Sequence, residues 1–261
     1  MICKICSNTS TFLFDKKILG KYNVKYYQCS SCLFVQTEEP FWLEEAYKNA
    51  ITSLDIGMIS RNNYLTPIVY AVANSSFDTR KKYLDFGGGY GILVRLLRDK
   101  GLDFYRQDKF CENLFSKNFD VEDLKDKTGF EFVTAFELFE HLPSPYQGIE
   151  EMLQYSKTIL FSTDLIPDNI DIASWEYLVP EVGQHVALYH YKSLEAMSRK
   201  LNLHLYSNKR NIHMLSEKKI NPFLFRLLTR FKISWLYNNL FFKHSSLLEK
   251  DYQFLKKQIA S

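Results

Sequence analysis

Between Lys82 and Ser162 the apolar residues fall into short runs separated by amphipathic stretches. Lys82–Phe86, Phe104–Gln107, Glu131–Phe136 and Thr158–Ser162 read as strands. Ile92–Lys100 and Tyr146–Tyr155 carry apolar side chains three and four apart and read as helices. Such alternation predicts an α/β domain with a parallel sheet covered by helices on both faces. Upstream, Trp42, Ala46, Leu65, Ile68, Val69 and Val72 predict one or two helices between Phe41 and about Asn74, a lid or linker. The first 38 residues have strand-like aromatic pieces such as Lys25–Gln28 and no helical period. Beyond Asp164, Ser193–Lys200 reads as helix and Leu203–Tyr206 as strand. The last forty residues are aromatic and basic: Phe223, Phe225, Phe231, Trp235, Tyr237, Phe241 and Phe242 alternate with Arg226, Arg230, Lys232 and Lys243. They predict a helical extension whose aromatic residues pack on the domain before it, with a membrane-surface or partner-binding helix as the alternative. The segments are thus 1–38, 39–78, 79–215 and 216–261.

Composition narrows the function classes. Of 261 residues, 46% are hydrophobic and 24% charged, enough to build a sizeable core. A formal charge of +3 lacks the concentration expected of a nucleic-acid-binding chain. Apolar runs stop short of membrane-spanning length, and Met1 runs directly into Cys3 and Cys6 without a cleavable leader pattern, so a soluble cytoplasmic protein is expected.

Four of the five cysteines form two identical pairs, Cys3-Lys-Ile-Cys6 and Cys29-Ser-Ser-Cys32, with 22 residues between them. Two residues between thiolates let one tight turn aim both sulfurs at a tetrahedral ion, so the pattern predicts a four-thiolate zinc ribbon. A closed sulfur set leaves no position for substrate, which makes the ion structural. It would supply on the order of 10 kcal/mol of folding free energy to a segment too small for its own core. Lys4, Lys16, Lys17, Lys21 and Lys25 read as a solvated face. Cys111 stands alone and reads as a small hydrophobe.

Asp85-Phe-Gly87-Gly88-Gly89-Tyr-Gly91 follows one predicted strand and opens a helix, where glycines let backbone approach a nucleotide cofactor. The spacing is not that of dinucleotide binding, and no Gly-Lys-Ser/Thr is present for a triphosphate. Asp108 lies seventeen residues past Gly91 at the end of the next strand, where a carboxylate can accept both ribose hydroxyls. Glu137, Glu140 and His141 follow the third strand, and a helical turn would put them on one face. Either His141 is a general base oriented by Glu140, or the three groups hold a divalent cation; a helix cap with a packed histidine is the plain alternative. His185, Tyr189 and His190 form a histidine-rich loop able to close over an acceptor.

On these motifs the chain resembles class I methyltransferases with an N-terminal zinc ribbon, many of which modify sugars or surface glycans in bacteria. The resemblance runs through about Tyr206. It includes the cysteine pairs, Trp42-Leu-Glu-Glu-Ala-Tyr47, Arg61-Asn62, the glycine loop and Asp108–Phe115. Glu137–His141, Trp175–Pro180 and Gly183–Val186 complete it. It implies a Rossmann-like α/β fold with a small N-terminal zinc ribbon and a C-terminal helical extension. It implies S-adenosylmethionine held by Asp85, Gly87, Gly88, Gly89, Asp108, Glu137 and Arg61, with catalysis by His141, Glu140 and His185. Glu-x-x-Glu-His is also similar to the metal-assisted ubiquinone-type O-methyltransferases, where it implies magnesium. The implied reaction is O-methylation of a sugar hydroxyl or a phosphoryl-type decoration in bacterial surface-polysaccharide biosynthesis, without nucleic acid as partner. The chain is short for the extra C-terminal domain usual in sugar C-methyltransferases, which favours oxygen over carbon as acceptor. The rivals are such a C-methyltransferase, a zinc-ribbon nucleic-acid or partner-binding protein with an inactive Rossmann-like domain, and a dehydrogenase.

Overall fold

The N-terminal segment folds as a long antiparallel hairpin in a computed structural model that describes residues 1–48, 51–241 and 244–259. Strands β1 (Ser10–Ile18) and β2 (Tyr22–Cys29) pair from Ser10↔Cys29 to Ile18↔Tyr22. The turn between them places Leu19 and Gly20 at positive φ (53° and 69°). β2 alternates as a half-buried strand must, with Val24 and Tyr26 inward. Strand β3 (Val35–Thr37) joins its edge, and β8 (Ala187–Leu188) pairs with β3 from far along the chain. Helix α1 (Leu43–Ala46) lies beyond β3, and the Trp42 indole donates to the Gly183 carbonyl (2.8 Å). Ile18, Val24, Tyr26, Val35 and Trp42 share one core with Ile166, Ile172, Leu178, Val186 and Leu188. The ribbon therefore packs on a downstream segment of its own unit.

The chain divides into two compact units. The first comprises residues 1–52, 136–153 and 160–219 and adds to the hairpin sheet α4 (Pro145–Leu153), most of β7 (Thr158–Ser162), α5 (Tyr191–Leu201), β9 (His204–Ser207) and β10 (Ile212–Ser216). Here β7 neighbours β10, which pairs antiparallel with β9. The second comprises 53–135, 154–159 and 220–261. It holds α2 (Met58–Ser76), β4 (Lys82–Phe86), α3 (Ile92–Asp99), β5 (Asp103–Gln107) and β6 (Val133–Ala135). Both β5 and β6 run parallel to β4, the arrangement expected from alternating strands and helices. Tyr83 stacks on Phe104 (5.0 Å, 10°) and meets Phe132 edge-on, so aromatic side chains fill the core predicted from the apolar runs.

Helices α6 (Pro222–Leu228), α7 (Phe231–Phe241) and α8 (Leu248–Ile259) complete the second unit as the expected helical extension. Buried Arg98 forks onto both oxygens of Asp251 (2.8 and 2.7 Å) and so anchors α8. The expectation that the terminal aromatics pack inward holds for Phe225 and in part for Phe231, which stacks on Tyr64 of α2 while keeping an exposed edge, and fails for Phe223, Trp235 and Phe241, which are exposed. Phe242 and Lys243 lie outside the described residues.

Candidate active site and metal centre

The two cysteine pairs fold alike. In each, the backbone turns back on itself after the second cysteine: Ser7 donates to the Cys3 carbonyl and Leu33 to the Cys29 carbonyl, both at 3.0 Å. Ser7 and Leu33 take left-handed φ of 62° and 61°. The pairs face each other with Cys3 and Cys32 sulfurs 3.6 Å apart and Cys6 and Cys29 sulfurs 3.4 Å apart, all four within 4.8 Å. Zinc–thiolate bonds of about 2.3 Å give a tetrahedron with edges of about 3.8 Å, within a few tenths of an ångström of the Cys3–Cys32 and Cys6–Cys29 separations, so the four sulfurs are grouped as a zinc ion requires. The thiols couple strongly: hydrogen bonding from Cys32 holds Cys3 down to about 5, while the Cys32 thiol is pushed up in return. Gln36 ties the first knuckle by accepting from the Lys4 amide and donating to the Ile2 carbonyl, both at 2.9 Å.

The glycine loop leaves the carboxyl end of β4 with Gly87, Gly89 and Gly91 all at positive φ (70°, 53° and 83°). These conformations account for the glycines, since an L side chain is disfavoured there. Gly91 caps α3, and a Cβ on it would lie 2.2 Å from the Ser116 hydroxyl. Gly88 leaves room for Arg106 and Asp85, each 2.8 Å from where its Cβ would stand. Asp108, past the end of β5, is bound into the loop. Its Oδ2 accepts from the Gly89 amide and its Oδ1 from the Phe110 and Cys111 amides, all at 2.8 Å. With three lone pairs engaged, accepting both ribose hydroxyls, as expected from sequence, requires release of a loop amide. Asp85 is buried and takes a 2.6 Å hydrogen bond from Thr134; burial pushes its carboxyl up to about 7, with Asp108 adding to the rise. Burial and the same Asp108 push the Cys111 thiol up to about 11, consistent with an unreactive side chain.

Arg106 was not singled out by the sequence. It is buried on β5, pairs with Asp120 (2.6 Å) and donates to the carbonyls of Gly89 and Cys111, thereby bracing the loop on both sides of Asp108. Its signal was a charged residue inside a strand that reads as buried. Arg61, by contrast, lies on α2 with its guanidinium forked onto Asp55 (2.8 and 2.9 Å).

After β6 the chain does not form the expected helical turn. Glu137 takes φ of 51° and Leu138 of −129°, so only Phe139–His141 wind, as a 3₁₀ turn. Ser162 holds Glu137, accepting from its amide (2.8 Å) and donating to its carboxylate (2.7 Å). Glu137 is thus parted from the one-face arrangement, and the group within 4.8 Å is Glu140, His141 and His185. The exchange comes from the loop after Gly183: the Val186 amide donates to the Glu140 carbonyl (2.9 Å), and the His141 and His185 rings meet edge-on at 4.8 Å. Glu140 is fully buried and neither carboxylate oxygen has a hydrogen-bond partner among the described residues. Burial and the nearby Glu137 charge push it up to about 8, so it is largely protonated at neutral pH. Burial holds His185 down to about 4. Its Nδ1 abuts the Tyr177 carbonyl, which only a protonated nitrogen can satisfy, and Nε2 keeps the lone pair. Tyr189 and His190 serve the fold: the former donates to the Phe139 carbonyl (3.1 Å), and the latter caps α5 by accepting from the Lys192 amide (3.1 Å).

A glycine-rich turn and an acidic clamp lie at the carboxyl ends of neighbouring parallel strands, the end of an open α/β sheet at which ligands bind. Residues 61–208 match the family described as Methyltransferase domain, and the chain belongs to that family. No curated protein matches it in sequence. Among solved structures it is similar to the mitomycin 7-O-methyltransferase MmcR, at 12% identity over 68% of this chain and 60% of that one, with a TM-score of 0.43. It is similar to OxaC in complex with SAH and oxaline (14% identity, 59% of this chain and 47% of that one, TM-score 0.44). A third is the magnesium protoporphyrin IX methyltransferase ChlM of Synechocystis PCC 6803 (12%, 67% and 93%, TM-score 0.42). The chain spans about 60% of the length of MmcR.

Proposed function

We propose that the protein is an S-adenosylmethionine-dependent O-methyltransferase acting on a small polar acceptor, with a sugar hydroxyl or a phosphoryl-type decoration of a bacterial surface glycan as the acceptor class. The observation that carries the reading is the Asp108 carboxylate clamped across the glycine loop, within a segment matched by the methyltransferase family. When bound, the cofactor supplies a methyl group activated by its sulfonium. Asp85 and Gly87–Gly89 shape the loop that receives it, Asp108 and Arg106 hold that loop still, and Glu137 and Arg61 are assigned to the same task. His141 takes the proton of the acceptor hydroxyl. His185, fixed in one tautomer, presents Nε2 as a hydrogen-bond acceptor that orients the hydroxyl. Neutral Glu140 lines this cluster without a charge of its own. Positioning accounts for most of the rate, because orientation can contribute roughly 7 to 11 kcal/mol and a general base about two to four decades.

Zinc at Cys3, Cys6, Cys29 and Cys32 is assigned a structural role. Magnesium is disfavoured at the histidine cluster, because two imidazoles and a single carboxyl are a poor substitute for the oxygen shell that ion takes. Nucleic acid is disfavoured at the ribbon, where Lys4 and Lys16 donate to the Pro143 and Ala173 carbonyls and Lys21 pairs with Glu45. The cytoplasm, where the cofactor is available and thiolates stay reduced, is the proposed location.

The test is calorimetry with S-adenosylmethionine and with NAD, followed by release of S-adenosylhomocysteine in the presence of nucleotide-linked sugars and glycan phosphates. Saturable cofactor binding and acceptor-dependent release are expected. Binding of NAD in preference, or salt-sensitive binding of RNA without cofactor binding, overturns the proposal.

A further inference from the structure

Helix α7 leaves an apolar stripe facing solvent. Trp235, Leu236 and Leu240, with Lys232 and Asn239, recur three and four apart and are exposed. Trp235 is 56% and Leu240 69% accessible. The rest of the helix holds buried Ser234 and half-buried Ile233, Tyr237 and Asn238, and the Asn238 amide donates to the Pro67 carbonyl of α2 (2.8 Å). Phe231 stacks on Tyr64 of α2 (5.6 Å, 18°). These contacts fix the rotation of α7, so its apolar stripe points outward by construction. On α6, Phe225 is buried while Phe223 stands 70% exposed.

Charge identifies what covers this stripe. From Ile220 to Leu248 the chain carries Arg226, Arg230, Lys232 and Lys243 and no acidic residue. Arg226, Arg230 and Lys232 are exposed and make no ion pair among the described residues. Outward Trp, Leu and Phe side chains framed by unpaired cations are the composition of a helix that lies in a membrane interface. None of the described helices is long and apolar enough to cross a membrane, so the geometry is one of lying on the surface. A second copy is a poor occupant, because a two-fold contact through this face would bring the same cations together with no acid to receive them. RNA would engage the cations but leave Leu236 and Leu240 without a partner.

We propose that the outward face of α6 and α7 docks on an anionic phospholipid bilayer, with Trp235, Leu236 and Leu240 in the interface and Arg226, Arg230 and Lys232 against the headgroups. This inference is independent of methyl transfer. It is tested by co-sedimenting the full chain with phosphatidylcholine vesicles with and without phosphatidylglycerol, while following Trp235 fluorescence. Each cation near an anionic surface is worth about 1 kcal/mol, or roughly fivefold, so the partition coefficient should rise at least about tenfold with phosphatidylglycerol and fall with added salt. Tryptophan emission should shift to the blue on binding, and this shift should vanish in Trp235→Phe. The double variant Trp235→Ser/Leu240→Ser should lose at least about tenfold in partition. The triple variant Arg226→Glu/Arg230→Glu/Lys232→Glu alters only exposed side chains and should abolish the preference for anionic vesicles. Thermal melting equal to the parent's confirms that each variant folds. Equal partition to neutral and anionic vesicles overturns the proposal, as does unchanged binding of the folded double variant. Dimerisation lost in the double variant without vesicle binding, or binding of poly-uridylate without vesicle binding, overturns it in favour of the other occupants.

Discussion

Replacing Asp108 by Asn and by Ala separates two roles that a carboxylate in this position can have. In the structure Oδ1 accepts two amides, from Phe110 and Cys111, and Oδ2 accepts one, from Gly89. Asparagine keeps an amide oxygen for the first pair and turns an NH2 group toward the Gly89 N–H, where two donors face each other. Alanine loses all three bonds. A hydrogen bond to a charged group contributes about 1.5 to 3 kcal/mol when well buried. Asp108 is only half-buried and water can replace part of the loss, so we expect about 1.5 kcal/mol for Asn and about 3 kcal/mol for Ala in cofactor binding. At 1.4 kcal/mol per decade, Kd for S-adenosylmethionine should rise roughly tenfold and a hundredfold. Isothermal calorimetry reads these values directly, and the shift of melting temperature on adding cofactor gives an independent check. If both variants bound within threefold of the parent, the loop would owe nothing to Asp108 and the cofactor site would have to be sought elsewhere. If Asn bound as weakly as Ala, the lost contact would be one that needs full negative charge, pointing to the ribose instead of the loop.

Further outcomes are expected. The purified protein should contain about one zinc per chain, removal of which by chelator should melt the ribbon; stoichiometric metal retained after replacement of Cys3, Cys6, Cys29 and Cys32 by serine excludes that centre. The fold holds the Glu140 proton to about 8 whereas an unfolded glutamate releases it near 4.3, so Glu140 makes the parent lose stability as pH rises between those values. Glu140→Gln removes that loss, and its stability relative to the parent should increase by on the order of 3 kcal/mol between about pH 5 and pH 8 in denaturant titrations; a pH-independent difference contradicts the buried neutral carboxyl. His141→Ala should cut turnover by at least about two decades with cofactor affinity retained, and an active variant removes this residue from the chemistry. Arg98→Ala should destabilise the second unit by about 3 kcal/mol, because buried Asp251 keeps only Arg95 as partner (2.9 Å); a melting curve equal to the parent's refutes the anchoring of α8.

Local chemistry made much of this protein legible in one dimension. The cysteine pairs are visible because two sulfurs on one tight turn require a fixed spacing, and the strand Thr158–Ser162 because a fully buried strand is a short apolar run. The glycine loop is visible because left-handed backbone at Gly87, Gly89 and Gly91 demands that residue. What pairs with what over long separations has no such local cause. β8 closes the hairpin sheet with two residues, too few to carry a period, and its position depends on the core it shares with Ile18 and Trp42. The histidine cluster was half legible: the spacing of Glu137, Glu140 and His141 suggested a helical face, yet the hydrogen bonds of Ser162 to Glu137 impose a left-handed turn that removes Glu137 and admits His185. Arg106 was hidden for the same reason, since a buried arginine is tolerable only where Asp120 and loop carbonyls converge on it, and convergence is a property of the packed structure. The terminal aromatics show the limit most plainly: their spacing predicts a helix, but which face turns inward is decided by Ser234, Asn238 and Phe231 meeting α2.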